Sequence, residues 1–272
     1  MSALTSALGV FTDLPSYVAA VAELPASAKR ADGARGSVVV VPGIGNWWEG
    51  LLPARKEGAA AVVVADPAVL PREVFDGGWP GGIPVIIERS RLRPDVVADA
   101  LRAREGKATA AVTVECAASA GVLREVVCDG LGWARVLAGG PLALSGATAT
   151  AHGRMALLHG PGPGGDRVTV PVSLLATAAG GFHDGGLLQV LGLGEVRTEV
   201  LVDQPAVLTR VETAGSRGTL RTPERYESSA RVALRRALEA CSLGEPLLDL
   251  QELLEDMALT RALLDAQNAD VE

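Results

Sequence analysis

The sequence predicts two domains of different class: an α/β domain with a parallel sheet, then an α+β domain with an open antiparallel sheet and C-terminal helices. Continuous apolar runs at 37–41 and 59–64 suit strands that are buried on both faces of a parallel sheet. From about residue 107, apolar residues instead alternate with polar ones, as in half-buried antiparallel strands. We therefore expect domains at 1–106 and 107–272.

Composition narrows the functional class. With 48% hydrophobic and 21% charged residues among 272, the chain is globular in composition. A net charge of −7 argues against a nucleic-acid partner, because phosphate binding needs a basic surface. No apolar run approaches the roughly 18 residues of a membrane helix, so no membrane partner is expected. The first residues do not resemble a secretory signal and the three cysteines are widely spaced, which together predict a reduced, cytoplasmic location.

In the first domain the predicted elements are strands separated by helices. Asp13 is the expected N-cap of the first helix, with Pro15 in its first turn. A glycine-rich turn at 42–46 follows the second strand, and Asp66-Pro67 closes the third. In chain order we predict strand 7–12, helix 13–24, strand 37–41, a helical stretch, strand 59–64, strand 83–88 and helix 94–104.

In the second domain the period of the apolar pattern is mostly two. The long helix here ends at Gly139-Gly140-Pro141, as helix ends commonly do. Two amphipathic helices close the chain, and we expect both to cover one face of the antiparallel sheet. The predicted elements are strand 107–117, helix 122–138, strands 167–177, 195–203 and 207–213, and helices 224–241 and 247–264.

The glycine turn after the strand at 37–41 is the first candidate site. Open α/β sheets bind ligands at the carboxyl ends of their strands, and an acidic residue about 20 positions later can bind a ribose. Gly43, Gly45, Asn46 and Asp66 are therefore candidate cofactor-binding residues. Trp48 stands where a dinucleotide fingerprint has its third glycine, which favours Gly43 and Gly45 as plain turn residues over a nucleotide site.

Two further pairs carry candidate chemistry. Trp47 and Trp48 point about 100° apart on a helix, so at most one enters the core easily and the other could form a wall for a sugar. Glu125 and Asp129 lie four apart on one helix face, where they could act as acid and base or form a solvated acidic surface. The histidines show no metal-ligand spacing, and we expect no metal site.

Four segments together resemble the glucose-fructose oxidoreductase / inositol dehydrogenase (Gfo/Idh/MocA) family. They are SVVVVP at 37–42, the strand ending in Ala65-Asp66-Pro67 at 59–67, ERSRLRP at 88–94 and GVLREVVCDGLGWARVLAG at 121–139. The resemblance implies a Rossmann-like dinucleotide-binding domain, an antiparallel sheet that is the usual oligomer surface, and activity on sugars or polyols.

The same resemblance places departures at the catalytic motifs. Asp66 falls at the lysine of the family's Glu-Lys-Pro motif, and the Asp-x-x-x-His pair becomes Glu125 and Asp129. The resemblance also implies that the first nucleotide-binding unit is missing, which leaves a truncated Rossmann-like sheet. Hydride transfer from an alcohol needs a general base, normally Lys or His, and neither stands where the family has one. Arg93, with Trp47 and Trp48, is a candidate substrate-binding residue.

Three functional hypotheses remain open. The leading one is a family-like protein that has lost dehydrogenase chemistry, binds no nicotinamide cofactor and acts as a binding or accessory subunit. The alternative is an NAD(P)-dependent oxidoreductase of a sugar or polyol, and the second alternative is a non-redox enzyme using Glu125 and Asp129 in the same cleft. The expected partners are a second copy or a full-length relative, joined through the antiparallel sheet, and a sugar-like small molecule.

Overall fold

A computed structural model describes residues 7–75, 81–162, 169–180, 185–243 and 247–265. The chain forms two compact units, Met1–Ser90 with Arg225–Leu253, and Arg91–Glu224 with Leu254–Glu272. This division differs from the expected domain limits in two places. It falls at Ser90 instead of residue 106, and it returns part of the C-terminal region to the first unit.

The first unit contains a five-stranded parallel sheet, which confirms the α/β prediction. Its strands, in spatial order β2-β1-β3-β4-β5, are β1 (Leu8–Phe11), β2 (Ala28–Arg30), β3 (Val38–Pro42), β4 (Ala61–Ala65) and β5 (Val85–Glu88). Every strand pair is parallel, with Val39 opposite Val62 in the centre. Helix α1 (Pro15–Ala22) connects β1 to β2, and α2 (Trp48–Lys56) connects β3 to β4.

The valine runs are buried as a parallel sheet requires. Val62, Val63 and Val64 are fully buried, and Val38 to Val41 are at most 7% exposed. Helix α1 begins at Pro15, but Leu14 occupies the N-cap position and no side chain caps the helix. The predicted capping role of Asp13 is therefore wrong, and its side chain is almost fully exposed.

The first C-terminal helix packs on the parallel sheet and not on the second one. Helix α5 (Ser229–Leu243) contacts α1, β4 and β5, and its apolar stripe joins the core cluster of the first unit. The expectation that both C-terminal helices cover the antiparallel sheet is thus wrong for α5. An amphipathic stripe specifies that a helix has a buried face, but it does not specify which sheet buries it.

The second unit is built on an eight-stranded sheet in the spatial order β13-β12-β11-β10-β6-β9-β8-β7. Its pairs are antiparallel except β6 with β9, so the open sheet is mixed. The strands are β6 (Thr109–Ala118), β7 (Ala143–Thr150), β8 (Gly153–Pro161), β9 (Thr169–Ala178), β10 (Gly186–Gly194), β11 (Arg197–Asp203), β12 (Leu208–Gly215) and β13 (Gly218–Arg221). Its helices are α3 (Pro94–Ala103), α4 (Leu123–Ala138) and the part of α6 (Asp249–Leu264) that begins at Leu254.

Helix α4 covers one face of this sheet. It contacts β6, β8, β9 and β10, and the alternation on β6 buries Val112, Val114 and Cys116 as predicted. The approach is close at Gly130, where a Cβ atom would lie 2.9 Å from both Cys116 Sγ and a Val114 methyl group. Any larger residue at this position would push the helix away from the sheet. No helix in the described residues is long and apolar enough to cross a membrane.

A buried ion pair joins α4 to α6 within the second unit. Arg135 Nε donates to Asp256 Oδ1 at 3.1 Å, and the two side chains are 9% and 1% exposed. A buried charge whose partner is removed stays desolvated without compensation. This pair therefore fixes the second half of α6 on α4.

We predict that Arg135→Met lowers the free energy of unfolding by about 3–5 kcal/mol, because it removes the arginine charge that pairs with the buried Asp256 carboxylate. The double variant Arg135→Met/Asp256→Leu should recover most of that loss. Arg124→Ala is the matched control, since Arg124 also links α4 to the end of α6 but pairs with an exposed Asp265. Its removal should change stability by less than about 1 kcal/mol. Urea unfolding of the four proteins measures this, and equal losses for Arg135 and Arg124 would contradict it.

Candidate functional site

The carboxyl ends of the parallel strands form the candidate ligand edge of the first unit. The spatial order of the strands is β2-β1-β3-β4-β5. The chain therefore passes from β1 to β2 on one side of β1 and then crosses to β3 on the other side of β1. Sheets of this order bind ligands where the order reverses, between β1 and β3. The turns at 12–14 and 43–46 leave the sheet at this point, so the sequence placed the glycine turn at the correct edge.

Gly43 is a packing glycine. Its N–H donates to Ala65 O at 2.8 Å, and its carbonyl oxygen accepts from Ala68 N at 2.8 Å. A Cβ atom at this position would clash with Ala65 O and lie 2.6 Å from Asp66 O. The turn after β3 and the turn after β4 thus lie against each other, which brings Gly43 and Asp66 together. Because the Gly43 N–H is already bonded, it is not a donor to a phosphate.

The exposed part of the turn is Ile44-Gly45-Asn46. Ile44 is 79% exposed, and Gly45 has φ +61° with open space where a side chain would be. Asn46 is exposed, and its Nδ2 donates to Glu49 Oε1 at 2.7 Å. This three-residue segment is the portion of the predicted glycine motif that a ligand can reach.

Both tryptophans of the next helix are buried. Trp47 is 2% and Trp48 is 6% exposed, and their rings meet edge to face with centroids 5.8 Å apart. Trp47 Nε1 donates to Ala68 O at 2.9 Å, which satisfies its polar group inside the protein. The expectation that only one ring enters the core is wrong, and neither ring forms an exposed wall for a sugar. Trp47 is the N-cap residue of α2 and already has helical backbone angles, φ −60° and ψ −22°, so both rings are buried although adjacent helical side chains point in different directions.

Asp66 holds the turn after β4. It has φ 52°, a left-handed conformation that is unfavourable for most residues and less so for Asp and Asn. Its Oδ1 accepts from Ser90 N at 3.3 Å and from Ser90 Oγ at 3.1 Å. The carboxylate therefore ties the ends of β4 and β5 together at the residue that the resemblance aligns with a catalytic lysine.

A tyrosine–carboxylate pair at the same edge was not predicted. Tyr17 is fully buried in the first turn of α1, and its hydroxyl donates to Glu88 Oε2 at 2.6 Å. Burial, and then the Glu88 carboxylate, raise the pKa of Tyr17, so the phenol stays a donor at physiological pH. The sequence held only a weak signal for it, because Glu88 closes an apolar strand but Tyr17 lies far away in the chain.

Arg93 is engaged close to its own position. Its Nε and Nη2 donate to the two Asp95 oxygens at 3.1 and 2.8 Å, and both side chains are mostly buried. Asp95 Oδ1 also accepts from Val96 N at 3.0 Å. The pair stabilises the start of α3, and Arg93 keeps little freedom to bind a substrate.

The acidic pair on α4 separates into two environments. Asp129 is 6% exposed, and its Oδ2 accepts from Arg91 Nη1 at 3.2 Å. Arg91 also donates to Gln204 Oε1 at 2.5 Å, and its carbonyl oxygen accepts from Trp133 Nε1 at 2.8 Å. Asp129 is therefore the buried partner of an arginine, and not part of a solvated acidic face.

Glu125, one turn earlier, is half-buried. Its Oε2 atom is shielded from solvent and has no hydrogen-bond partner among the described residues. Arg91 Nε is also shielded from solvent, and it has no hydrogen-bond acceptor among the described residues. A donor on a ligand could satisfy the first atom and an acceptor the second, whereas the Asp129 oxygen bonded to Arg91 is occupied.

The histidines do not form a centre in the described residues. His152 is exposed in the turn before β8, while His159 Nδ1 and Ser145 Oγ lie 2.9 Å apart across β7 and β8. His183 lies outside the described residues. Within the described ranges no group of three His, Cys, Asp or Glu side chains converges to hold a metal ion.

Comparison with known proteins identifies the fold. No family model and no curated protein matches the sequence. Solved structures do match: an oxidoreductase from Sinorhizobium meliloti has a TM-score of 0.67 at 11% identity and covers 95% of this chain and 96% of its own. The dehydrogenase MviM from Clostridium difficile has a TM-score of 0.65 at 10% identity, with 94% and 98% covered. The 3-ketoreductase KijD10 from Actinomadura kijaniata, in complex with NADP and TDP-benzene, has a TM-score of 0.62 at 14% identity, with 96% and 97% covered.

These matches confirm the resemblance at the level of the fold. The chain has the fold of the Gfo/Idh/MocA-type dehydrogenases, a Rossmann-like sheet followed by an open sheet. They also correct the expectation that no nicotinamide cofactor is involved, because KijD10, with the same fold over nearly its whole length, holds NADP.

The described residues fit the phosphates of such a ligand at one turn only. The β1–α1 turn, Thr12-Asp13-Leu14-Pro15, has no glycine. Within this turn Thr12 Oγ1 accepts a hydrogen bond from Leu14 N at 3.2 Å. The turn after β3 is open at 44–46 and is followed by the N-terminus of α2, where backbone N–H groups favour anions. Gly45 and Asn46 are thus the residues that would hold a phosphate at this edge.

We predict that Asp66→Ala lowers the free energy of unfolding by about 1–2 kcal/mol. The variant loses both Ser90 hydrogen bonds and places an alanine at positive φ. Asp66→Asn keeps an acceptor and tolerates this conformation, so it should change stability by less than about 0.5 kcal/mol.

Asp13→Ala is the matched control, because its carboxylate lies at the same edge and is almost fully exposed. Thermal and urea unfolding decide between the roles. A stable Asp66→Ala variant would show that the carboxylate does not hold the turn, and would favour a role in ligand binding.

Proposed function

We propose that this chain is a binding or accessory protein with the Gfo/Idh/MocA fold that takes a nucleotide-type ligand and lacks hydride-transfer chemistry. The observation that carries the proposal is the buried ion pair of Asp129 with Arg91. The resemblance aligns Asp129 with the family's catalytic histidine, and here that position serves the interior of the second unit.

The chemistry of a dehydrogenase explains why this pair matters. A general base must lie within hydrogen-bond reach of the proton that it removes from the substrate. The Asp129 side chain is 8% exposed, and its Oδ2 accepts from Arg91 Nη1. Moving it toward a substrate would leave the Arg91 charge buried and unpaired, which is strongly unfavourable. Asp66, at the aligned lysine position, is exposed, and its Oδ1 accepts two hydrogen bonds from Ser90.

The ligand class follows from the similar structures and from the open turn. KijD10 holds NADP and TDP-benzene, and a further match, GnnA from Acidithiobacillus ferrooxidans, is named a UDP-N-acetylglucosamine 3-dehydrogenase. These ligands and names share a nucleotide with linked phosphates. Gly45 and Asn46, exposed beside the β1/β3 reversal, offer a place for such phosphates in this chain. A dinucleotide such as NADP would bind here through its phosphates, whereas hydride transfer from an alcohol to it would also need a base beside the substrate.

We expect calorimetric titration with NAD, NADH, NADP and NADPH to show saturable binding of at least one of them. Absorbance at the nicotinamide band should show no turnover with a panel of polyols and nucleotide sugars. Asn46→Asp adds a negative charge to the open turn and should weaken binding several-fold. Ser27→Asp, an equal charge at the amino end of β2, is the control and should leave binding unchanged. Turnover by the wild-type protein would contradict the loss of hydride transfer, and failure of all four titrations would contradict the nucleotide ligand.

The open face of the second sheet supports a partner of the same kind as this chain. Met155, Leu157 and Leu175 are 51%, 63% and 41% exposed on neighbouring strands, and a shallow groove of about 430 Å³ runs among them. The charged half of the face is already paired internally, as in Arg210 with Glu199 at 3.5 Å. An apolar, nearly uncharged patch pairs well with a second copy of itself or with a relative of the same fold.

We predict that light scattering at low micromolar concentration gives about twice the 27.9 kDa mass of one chain. Leu157→Glu should restore the single-chain mass, because it buries a charge in the proposed interface. Val207→Glu is the control, since Val207 is 93% exposed in the turn between β11 and β12. A wild-type monomer that associates only with a longer relative would favour the hetero-oligomer, and a monomer under both conditions would contradict this proposal.

A further inference from the structure

A second cavity, independent of the proposed function, is formed by residues of the second unit and opens to solvent beside the exposed Leu101 and Lys107. Its volume is about 380 Å³, and it is lined by the last turns of α3 and α4 and by the start of β6. The apolar part of the lining includes Leu101, Val136, Leu137 and Val170. The two charged side chains in the lining, Arg104 and Lys107, are both basic.

Arg104 is buried with neutral partners alone. It is 3% exposed, and its guanidinium donates to Thr198 Oγ1 at 3.0 Å, to Lys107 O at 2.9 Å and to Thr109 Oγ1 at 2.8 Å. A guanidinium has five N–H bonds. Three of them make these contacts, and the N–H on Nε and the second one on Nη1 have no acceptor among the described residues.

The other buried arginines of this unit have carboxylate partners. Arg91 pairs with Asp129 and Arg135 with Asp256, whereas Arg104 has no carboxylate partner in the described part of the chain. Burial lowers the pKa of Arg104, as expected for a charge taken out of water without a counterion. The charge of Lys107 is already met by Glu195, whose Oε2 accepts from Lys107 Nζ at 2.7 Å. Arg104 is thus the cation in this cavity that lacks an anion.

We infer that the cavity binds a small oxyanion, a carboxylate or a phosphate, which pairs with Arg104. Both N–H groups on Arg104 Nη2 bond to Lys107 O and Thr109 Oγ1, so the N–H group on Nε and the second one on Nη1 are the donors left for such an anion. Hydrogen bonds from a charged donor to a charged acceptor are stronger than neutral ones. The apolar lining would cover a short aliphatic chain attached to a carboxylate, while an inorganic phosphate would use Arg104 alone. The competing explanation is purely structural: Arg104 joins the end of α3 to the end of α4, where Thr109 Oγ1 donates to Leu137 O at 2.5 Å.

The test is calorimetric titration of the full chain with acetate, butanoate and inorganic phosphate, with chloride holding the ionic strength constant. The wild-type protein should bind at least one of them saturably at one equivalent. Tighter binding of butanoate than of acetate would assign a carboxylate source, and binding of phosphate alone would assign a phosphate source. Arg104→Met should weaken binding at least 10-fold. Arg102→Met is the control on the same helix, since its side chain is 74% exposed and pairs with Asp99.

A second variant protects the test from a folding effect, because Arg104→Met also removes three internal hydrogen bonds. Ala108 is exposed and lines the cavity, so Ala108→Glu adds a carboxylate at the rim without changing the core. It should weaken binding at least 10-fold while the melting temperature stays within a few degrees of the wild type. Absence of saturable binding by all three anions overturns the inference. Equal binding by wild type, Arg104→Met and Ala108→Glu also overturns it, since it would mean an adventitious ion only.

Discussion

Burial of helix α4 against the eight-stranded sheet is the constraint on which the second unit depends. Thirteen of its sixteen residues are buried, including the charged Asp129 and Arg135. A buried charge requires a partner. Asp129 therefore pairs with Arg91 from the segment before α3, and Arg135 pairs with Asp256 from α6. The close contact at Gly130 permits this depth of burial. Packing of one helix thus determines where two other segments of the unit must lie.

The need of buried and turn carboxylates for protein donors also applies to the two positions that the resemblance aligns with catalytic residues. A histidine or lysine at a ligand edge must keep contact with both the protein and the substrate. Asp129 and Asp66 instead direct their carboxylates at protein donors, Arg91 in one unit and Ser90 in the other. Each carboxylate thus stabilises the fold of its own unit. The fold is retained while the polar groups at these positions serve the structure.

At the sheet edge of the first unit, the two glycines of the predicted cofactor motif have different roles. Gly43 permits two turns to touch, which is a requirement of the backbone and not of a phosphate. Gly45 has open space where a side chain would lie, and its neighbours Ile44 and Asn46 are exposed to solvent. Tyr17 and Glu88 add a buried hydrogen bond between α1 and β5, so distant parts of the sequence meet at this edge. Similar structures hold NADP, and this chain keeps the edge but not the usual glycine turn after β1.

The sequence by itself determined the class of each unit and many of its elements, but the strands β2, β7, β8, β10 and β13 were not predicted. Valine runs at 38–41 and 61–64 and the alternation along β6 and β9 predict burial directly, because the side-chain period of a strand is local. Gly139 ends α4 as predicted, with φ 84°. Of the candidate site positions, Gly45 lies in an open turn, whereas Asp66 and Asp129 bond to protein donors.

Only the tertiary structure decided which surfaces meet. The stripe on α5 is visible in the sequence, but two sheets could bury it equally well and the parallel one does. The burial of both Trp47 and Trp48, the pairing of Asp129 with Arg91 and the isolation of Arg104 depend on residues that are tens of positions apart. Such contacts have no period and no local spacing. They are fixed by the need to bury every apolar face and to give each buried polar group a partner, and that requirement is met only when the whole chain is folded.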